Sequence, residues 1–209
     1  MPTVDTIIVN LDRALRAVGG ATQGTGRVFP AQDLESSELS RGDRARSAGL
    51  MRVNHAGEVA AQALYHGQSL TARSSHIRAG LEQAAREEED HLIWCRRRLR
   101  ELHASPSALD PLWYAGSFAL GALAGVAGDR VNLGFLAETE HQVAEHLQGH
   151  LHCLPADDER SRAVVSQMCD DEAEHARMAE RGGAMPLPVA VKKMMKFASA
   201  VMTRTAFWL

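Results

Sequence analysis

Aromatic residues and cysteines are scarce in this chain of 209 residues, and neither positive nor negative charge predominates. Phe, Trp and Tyr together make up 5% of it, and the net charge is −3. This charge balance gives no support to a nucleic-acid partner, and we expect none. The three cysteines, an odd number, are Cys95, Cys153 and Cys169, and they contain no CxxC pair. A disulfide framework is therefore not expected, and a reducing compartment suits the chain better.

Long apolar runs are also scarce. The longest uncharged run, residues 111–128 (PLWYAGSFALGALAGVAG), has 18 residues, which is the lower limit for a helix that spans a bilayer. Its four glycines and one proline make it a poor spanning helix, so it predicts a buried helix or an interfacial segment. Near the N-terminus, Asp5 and Asp12 interrupt the apolar residues, which is not the pattern of a secretory signal peptide.

The chain shows helical periodicity and no convincing strand, so the predicted fold class is all-α. Breaks are predicted at Gly19-Gly20 and at the proline-containing stretches SPSALDP, LPADDE and MPLP. The predicted helices cover residues 4–18, 40–71, 75–103, 111–153, 157–181 and 189–209. We divide the chain into an N-terminal helix and loop (1–40), a helical bundle (41–183) and a basic amphipathic C-terminal helix (184–209).

Two of these helices carry a glutamate and a histidine three residues apart on an apolar face, where residues at helical spacing lie together. The face around Glu88 and His91 consists of Leu81, Ala84, Ala85, Leu92, Cys95, Leu99 and Leu102. The face around Glu172 and His175 consists of Val165, Met168, Cys169, Ala176 and Ala179. Both pairs are therefore predicted to point into the core.

Two other helices each carry a single glutamate. Glu140 shares its face with Leu133, Leu136, Ala137, Val143 and Leu147, whereas the face of Glu58 is more polar and includes Asn54, Gln62 and Tyr65. Glu58 precedes Glu88 by 30 residues, and Glu140 precedes Glu172 by 32. The candidate ligands thus repeat: each half of the bundle is a helical hairpin with a single Glu on its first helix and Glu-x-x-His on its second.

Four carboxylates inside one bundle predict a metal site, because buried unpaired charges are costly. Two divalent cations would balance the four charges, and the two histidines would add neutral nitrogen ligands. A set rich in carboxylates and without thiolate favours iron or manganese over zinc or copper. The adjacent acids Glu87 and Asp171 are hypothesised to hold the two histidines from outside the site.

A third Glu-x-x-His pair, Glu138 and His141, lies on a more polar face and is predicted to be on the surface. The remaining histidines are interpreted as ordinary polar residues or as neighbours of the ligands. Cys95 and Cys169 are interpreted as small core residues.

Four stretches of the sequence resemble a known family. They are GLMRVNHAGEVAAQALYHGQSLTAR, EEEDHLIW, ETEHQVAEHL and DDEAEHA, and over about residues 45–180 they are similar to the demethoxyubiquinone hydroxylases of ubiquinone biosynthesis. Some members have adjacent glutamates in the third bundle helix, whereas here Thr139 separates Glu138 from Glu140. The apolar face favours Glu140 as the ligand.

The resemblance implies a ferritin-like four-helix bundle and a di-iron monooxygenase that hydroxylates a prenylated demethoxyubiquinol with O2. NADH is the implied electron source, and manganese or zinc can occupy the same site in a purified sample. Carried over by position, the catalytic and metal-binding residues are Glu58, Glu88, His91, Glu140, Glu172 and His175, with Glu88 and Glu172 as the expected bridges.

The implied substrate resides in a membrane, and two segments are expected to meet it there. One is the run 111–128, and the other is the C-terminal helix, in which Lys192, Lys193, Lys196 and Arg204 lie opposite Met, Phe and Trp side chains. A peripheral protein at the cytoplasmic face of the cell membrane is therefore expected. The alternative for the C-terminal helix is packing on its own bundle or on a second subunit of a homo-oligomer.

Three other functions are alternatives to this one. A ferritin- or rubrerythrin-like iron oxidase or peroxide-detoxifying protein would share the ligands but would not need lipid contact. A tRNA-base hydroxylase should show a basic face near the site, which the net charge of −3 does not promise. A membrane-surface scaffold leaves the four carboxylates on apolar faces unexplained.

Overall fold

The computed structural model describes residues 4–209, apart from the side chain of Ile7. Over this range it contains seven helices and no strand, which confirms the all-α prediction. The helices are α1 (Val4–Gly19), α2 (Arg41–Thr71), α3 (Ser75–Glu101), α4 (Asp110–Val126), α5 (Asp129–Cys153), α6 (Glu159–Arg181) and α7 (Val189–Ala206).

Helices α2, α3, α5 and α6 form a four-helix bundle built from two hairpins. α2 packs along α3, α5 packs along α6, and the hairpins meet where α3 faces α6 and α2 faces α5. The core has two large apolar clusters, one centred on Met51, Leu99 and Met168 and the other on Leu81 and Leu136. On all four helices, the candidate metal ligands fall between the residues of these two clusters.

The register of the two helices that carry Glu-x-x-His is fixed by a buried polar contact. Asp158 caps α6 by accepting a hydrogen bond from the backbone N–H of Ser161 at 3.0 Å. The same carboxylate pairs with Arg98 of α3 at 2.8 Å, and Arg98 Nε also donates to the Ser161 hydroxyl at 2.8 Å. The start of α6 is thereby tied to α3, so the two helices cannot slide past one another without leaving these buried charges unpaired.

The prediction of one continuous helix over residues 111–153 is wrong, because the chain turns between α4 and α5. Gly128 has a φ of 111°, a backbone conformation that favours glycine. Asp129 then begins α5, and its carboxylate accepts hydrogen bonds from the backbone N–H groups of Arg73 and Ser74 at 2.9 and 2.8 Å. Asp129 therefore connects the start of α5 to the start of α3.

Helix α4 packs against α2 through glycines. A Cβ at Gly67 would collide with the backbone carbonyl of Phe118, and a Cβ at Gly121 would collide with that of Leu64. The glycine-rich run therefore allows two helix backbones to approach closely, and the opposite side of α4 exposes Leu120 and other apolar side chains. Among the described residues, none of the helices is both long and apolar enough to cross a membrane.

Substitution of Gly67 tests this close approach. We expect Gly67→Ala to lower the free energy of unfolding by roughly 1–3 kcal/mol, since the clash is with backbone that can move only with a whole helix. The matched control is Gly80→Ala on the exposed side of α3, where nothing lies within 4 Å of the added methyl. This change should stabilise the chain by up to about 1 kcal/mol. Urea unfolding of both variants measures the difference, and equal stability of the Gly67 variant and the native chain would contradict the packing described.

Candidate metal centre

Six buried side chains from the four bundle helices meet between the two apolar clusters. Each is 4% exposed or less. They are the six that the sequence analysis names: Glu58 from α2, Glu88 and His91 from α3, Glu140 from α5, and Glu172 and His175 from α6.

The donor atoms form two overlapping groups, and within each group all lie within 4.8 Å of one another. The first group contains Glu58 and His91, and the second contains Glu140 and His175. Glu88 and Glu172 belong to both groups. The arrangement offers two adjacent cation positions that share two carboxylates.

Several buried polar atoms of the cluster lack a hydrogen-bond partner among residues 4–209, as expected of atoms that would bind a metal ion instead. Buried polar groups are otherwise usually paired. His175 Nδ1 and Glu88 Oε1, for example, lie 2.7 Å apart but without the alignment of a hydrogen bond. The unpaired atoms are Glu58 Oε2, Glu88 Oε1, Glu140 Oε2, Glu172 Oε2 and His175 Nδ1.

No lysine or arginine in the described part of the chain forms an ion pair with these four carboxylates. Protons or cations must therefore balance their charge. Oxygen and imidazole donors of this kind fit two divalent iron or manganese ions.

The electrostatics of the cluster show where protons reside when they balance the charge. Burial raises the pKa of Glu58 to about 8 and that of Glu140 well above its ordinary value. Burial works against a charged His175, but the carboxylates of Glu88 and Glu172 together outweigh it and raise the histidine's pKa to about 12. Burial also works against a charged His91, but Glu88 and the other carboxylates around it together raise its pKa well above its ordinary value. Cations that bind here must therefore displace protons at neutral pH.

Two acids outside the cluster orient the histidines. His91 Nε2 lies 2.9 Å from Asp171 Oδ2, and His175 Nε2 lies 3.1 Å from Glu87 Oε2. Each contact crosses between α3 and α6, and each leaves Nδ1 facing the carboxylates when Nε2–H is the donor. These are the contacts that the sequence analysis hypothesises for the two acids, and such contacts fix the tautomer and direction of ligand histidines.

Sequence reasoning missed two other residues at the centre. Arg27, in the loop before α2, pairs with Asp171 at 2.7 Å and lies over the ring of Trp94. Tyr65 donates from its hydroxyl to Glu140 Oε1 at 2.7 Å. Burial and the neighbouring carboxylates raise the pKa of Tyr65 well above its ordinary value, so the phenol stays protonated and can donate. Tyr65 was recognisable only as a neighbour of Glu58 on α2, and Arg27 had no sequence signal.

The third Glu-x-x-His pair lies outside the cluster. His141 is exposed and pairs with Glu180 at 2.8 Å, as expected of a surface residue. Glu138 is only 9% exposed, so its predicted surface position is wrong. It is covered because Lys192 of α7 pairs with it at 2.6 Å. Other buried histidines have protein partners: His55 contacts Asp110, His66 contacts Tyr114, and His150 contacts Asn54.

A cavity of about 290 Å³ lies between α2, α4, α5 and α7 and extends to one side of the cluster. Of the six clustered residues, Glu58 alone lines it. The walls are mostly apolar and include Trp113, Phe135 and Met202, with a few polar side chains such as His146. A mostly apolar cavity with few polar groups is typical of a site for an organic ligand.

A four-helix bundle with one glutamate on each of two helices and Glu-x-x-His on each of the other two defines the class of ferritin-like di-metal carboxylate proteins. The chain has the bundle and the donor residues of this class, and it belongs to the family described as ubiquinone biosynthesis protein COQ7, whose model matches residues 45–206.

Relatives of the chain match it over nearly its whole length. A 3-demethoxyubiquinol 3-hydroxylase of Cupriavidus pinatubonensis is 57% identical over 206 residues, which cover 98% of this chain and 99% of the relative. Another of that name, from Nitrosomonas eutropha, is 57% identical over 208 residues and the full length of both chains. A third, from Nitrosococcus oceani, is 54% identical over 206 residues, or 99% of this chain and 96% of the relative.

The raised pKa values predict that metal binding releases protons. Calorimetric titration of the metal-free protein with Mn(II), in buffers of different ionisation enthalpy, should show net proton release near pH 7. The Mn(II) affinity should fall as the pH is lowered, because protons then compete more strongly with the metal for the groups whose pKa is raised. Binding without proton release, or with an affinity independent of pH between about 6 and 8, would contradict the charge balance described.

The outer acids should matter although they do not reach the metal positions. Asp171→Asn and Glu87→Gln are each expected to weaken Mn(II) binding roughly 10- to 100-fold, because the histidine they hold loses its orientation. Asp170→Asn, at an exposed neighbouring position on α6, is the matched control and should bind as the native protein does. Unchanged affinity in the first two variants would show that the contacts are incidental.

Proposed function

We propose that this chain is a di-iron monooxygenase that hydroxylates the ring of a prenylated demethoxyubiquinol with O2. Its family and the names of its relatives support the reaction. The observation that carries the proposal is the meeting of the carboxylate–histidine cluster with an apolar cavity at Glu58.

Each member of the cluster has an assigned role in the proposal. Glu58 and His91 would hold one iron, Glu140 and His175 would hold the other, and Glu88 and Glu172 would contribute to both. When bound, the two irons would supply the redox chemistry that O2 activation needs. Manganese or zinc can take the same positions in a purified sample because the donor set does not exclude them.

The protein's own contribution is position and a dry environment. Asp171 and Glu87 hold the imidazoles so that Nδ1 faces the site. The apolar clusters on both sides keep the cluster from water. In the cavity, the substrate ring would lie against the apolar walls. Its oxygens would lie near polar side chains that can hydrogen-bond to them, such as Asn54, Gln142 and His146. This pose brings the ring to the Glu58 side of the site.

Reducing equivalents are proposed to come from NADH. The sequence contains no glycine-rich dinucleotide-binding fingerprint. Delivery of the electrons through the bound quinone is consistent with this, because the cavity connects the quinone position to the cluster.

We further propose that the protein binds peripherally to the cytoplasmic face of the cell membrane. Helices α4 and α7 both line the cavity that would hold the quinone ring, and both expose large apolar side chains. On α7, Phe197 is 71% exposed, and Trp208, which follows the helix, is 80% exposed. On α4, Leu120 and Leu123 are also exposed. Together with the exposed Lys193 and Arg204, these residues suit an anionic lipid surface, whereas Lys192 and Lys196 pair with Glu138 and Glu145 of α5.

The reaction can be tested directly on iron-loaded protein. After anaerobic loading with Fe(II), the native chain is given a short-tailed demethoxyubiquinol, NADH and 18O2, and the quinone is analysed by mass spectrometry. One labelled oxygen should appear on the ring. Glu88→Ala should reduce the product to background because both metal positions lose a ligand, whereas the exposed control His141→Gln should retain full activity.

The alternative result is equally informative. If the native chain binds iron and consumes O2 but leaves the quinone unmodified, an iron-oxidase or storage role replaces the hydroxylase.

A further inference from the structure

The two halves of the metal cluster have different surroundings. Glu140, in one half, accepts a hydrogen bond from Tyr65. Glu58, in the other half, has no hydroxyl or amide donor among the described residues, and its nearest charged partner is His91 Nδ1 at 3.7 Å. Glu58 also lines the cavity, which Glu140 does not.

Tyr65 contacts both residues that are specific to the Glu140 half. It is 1% exposed, and its hydroxyl lies 2.7 Å from Glu140 Oε1. Its ring stands edge-on to the imidazole of His175, at a centroid distance of 6.5 Å and an interplanar angle of 80°. One side chain of α2 thus restrains a donor of α5 and a donor of α6.

Because of this hydrogen bond, the two carboxylate oxygens of Glu140 have different surroundings. Oε1 is engaged with the phenol, and Oε2 is buried and unpaired within the cluster. A carboxylate held in this way offers one oxygen to a cation and is already oriented for it. Since less conformational freedom is then lost on binding, the position gains affinity.

We propose that Tyr65 is a positioning residue that restricts Glu140 to coordination through one oxygen. The metal position of Glu140 and His175 is then rigid and tighter. The position of Glu58 and His91, next to the cavity, is weaker and keeps a carboxylate that is free to move. This inference rests on the assignment of the six ligands in the proposed function, but it does not depend on which reaction the protein catalyses.

The test uses chains that retain one metal position each. Glu58→Ala leaves the Glu140 position, and Glu140→Ala leaves the Glu58 position. Mn(II) affinity is measured by calorimetry and by the EPR signal of free Mn(II), with and without Tyr65→Phe. We expect Tyr65→Phe to weaken binding roughly 10-fold or more in the Glu58→Ala chain and to change it less than 2-fold in the Glu140→Ala chain.

Tyr114→Phe is the matched control. Tyr114 is also a buried tyrosine whose hydroxyl contacts a side chain, His66 Nδ1 at 2.8 Å, but it lies away from the cluster. It should leave Mn(II) binding unchanged in both backgrounds. Helix content and thermal unfolding of each metal-free variant, followed by circular dichroism, show whether any loss of affinity comes from misfolding.

The same substitution is measured in the chain that keeps all six ligands, in case a single-position chain binds too weakly to titrate. There the native protein should bind Mn(II) in a tighter and a weaker step, and Tyr65→Phe should weaken the tighter step alone. Equal loss in both steps, or equal loss in both backgrounds, overturns the proposal and makes Tyr65 a general structural residue. Failure of the native chain to bind two Mn(II) ions would instead refute the ligand assignment itself.

Discussion

Four carboxylates buried without a lysine or arginine partner are the constraint on which the rest of this structure depends. Charges in such a place are costly unless they are neutralised, and in the described part of the chain only two histidines lie near enough to do so. The resulting cluster holds protons tightly and contains buried atoms without hydrogen bonds. A pair of divalent cations would resolve both deficits, and the proposed di-metal centre would account for so much charge in the core of a bundle of this size.

Much of the remaining structure keeps this cluster in register. The Arg98–Asp158 pair fixes α3 against α6, and the Asp129 contacts fix the start of α5 against the start of α3. The glycine contacts hold α4 against α2, and the cavity lies between these two helices, α5 and α7.

The helices and the six clustered side chains could be predicted because their signals are local. Helical spacing places Glu88 and His91 on one face whatever the tertiary structure, and the same holds for Glu172 and His175. The turn at Gly128 is not predicted from the sequence because no proline or glycine pair marks it, and the deciding contacts, between Asp129 and the start of α3, are distant in sequence. Tyr65 and Arg27 were missed for the same reason, since their partners are 75 and 144 residues away. The burial of Glu138 could not be predicted because it depends on α7, which packs over this residue from outside the bundle.

The most direct test of the central claim is anomalous diffraction from crystals of the protein grown with Mn(II), recorded near the manganese absorption edge. Two anomalous peaks are expected inside the bundle, each in contact with Glu88 and Glu172, with Glu58 and His91 completing one position and Glu140 and His175 the other. A single peak, or peaks only at exposed acidic side chains, would show that the buried carboxylates are balanced by protons and that the cluster is not a di-metal centre.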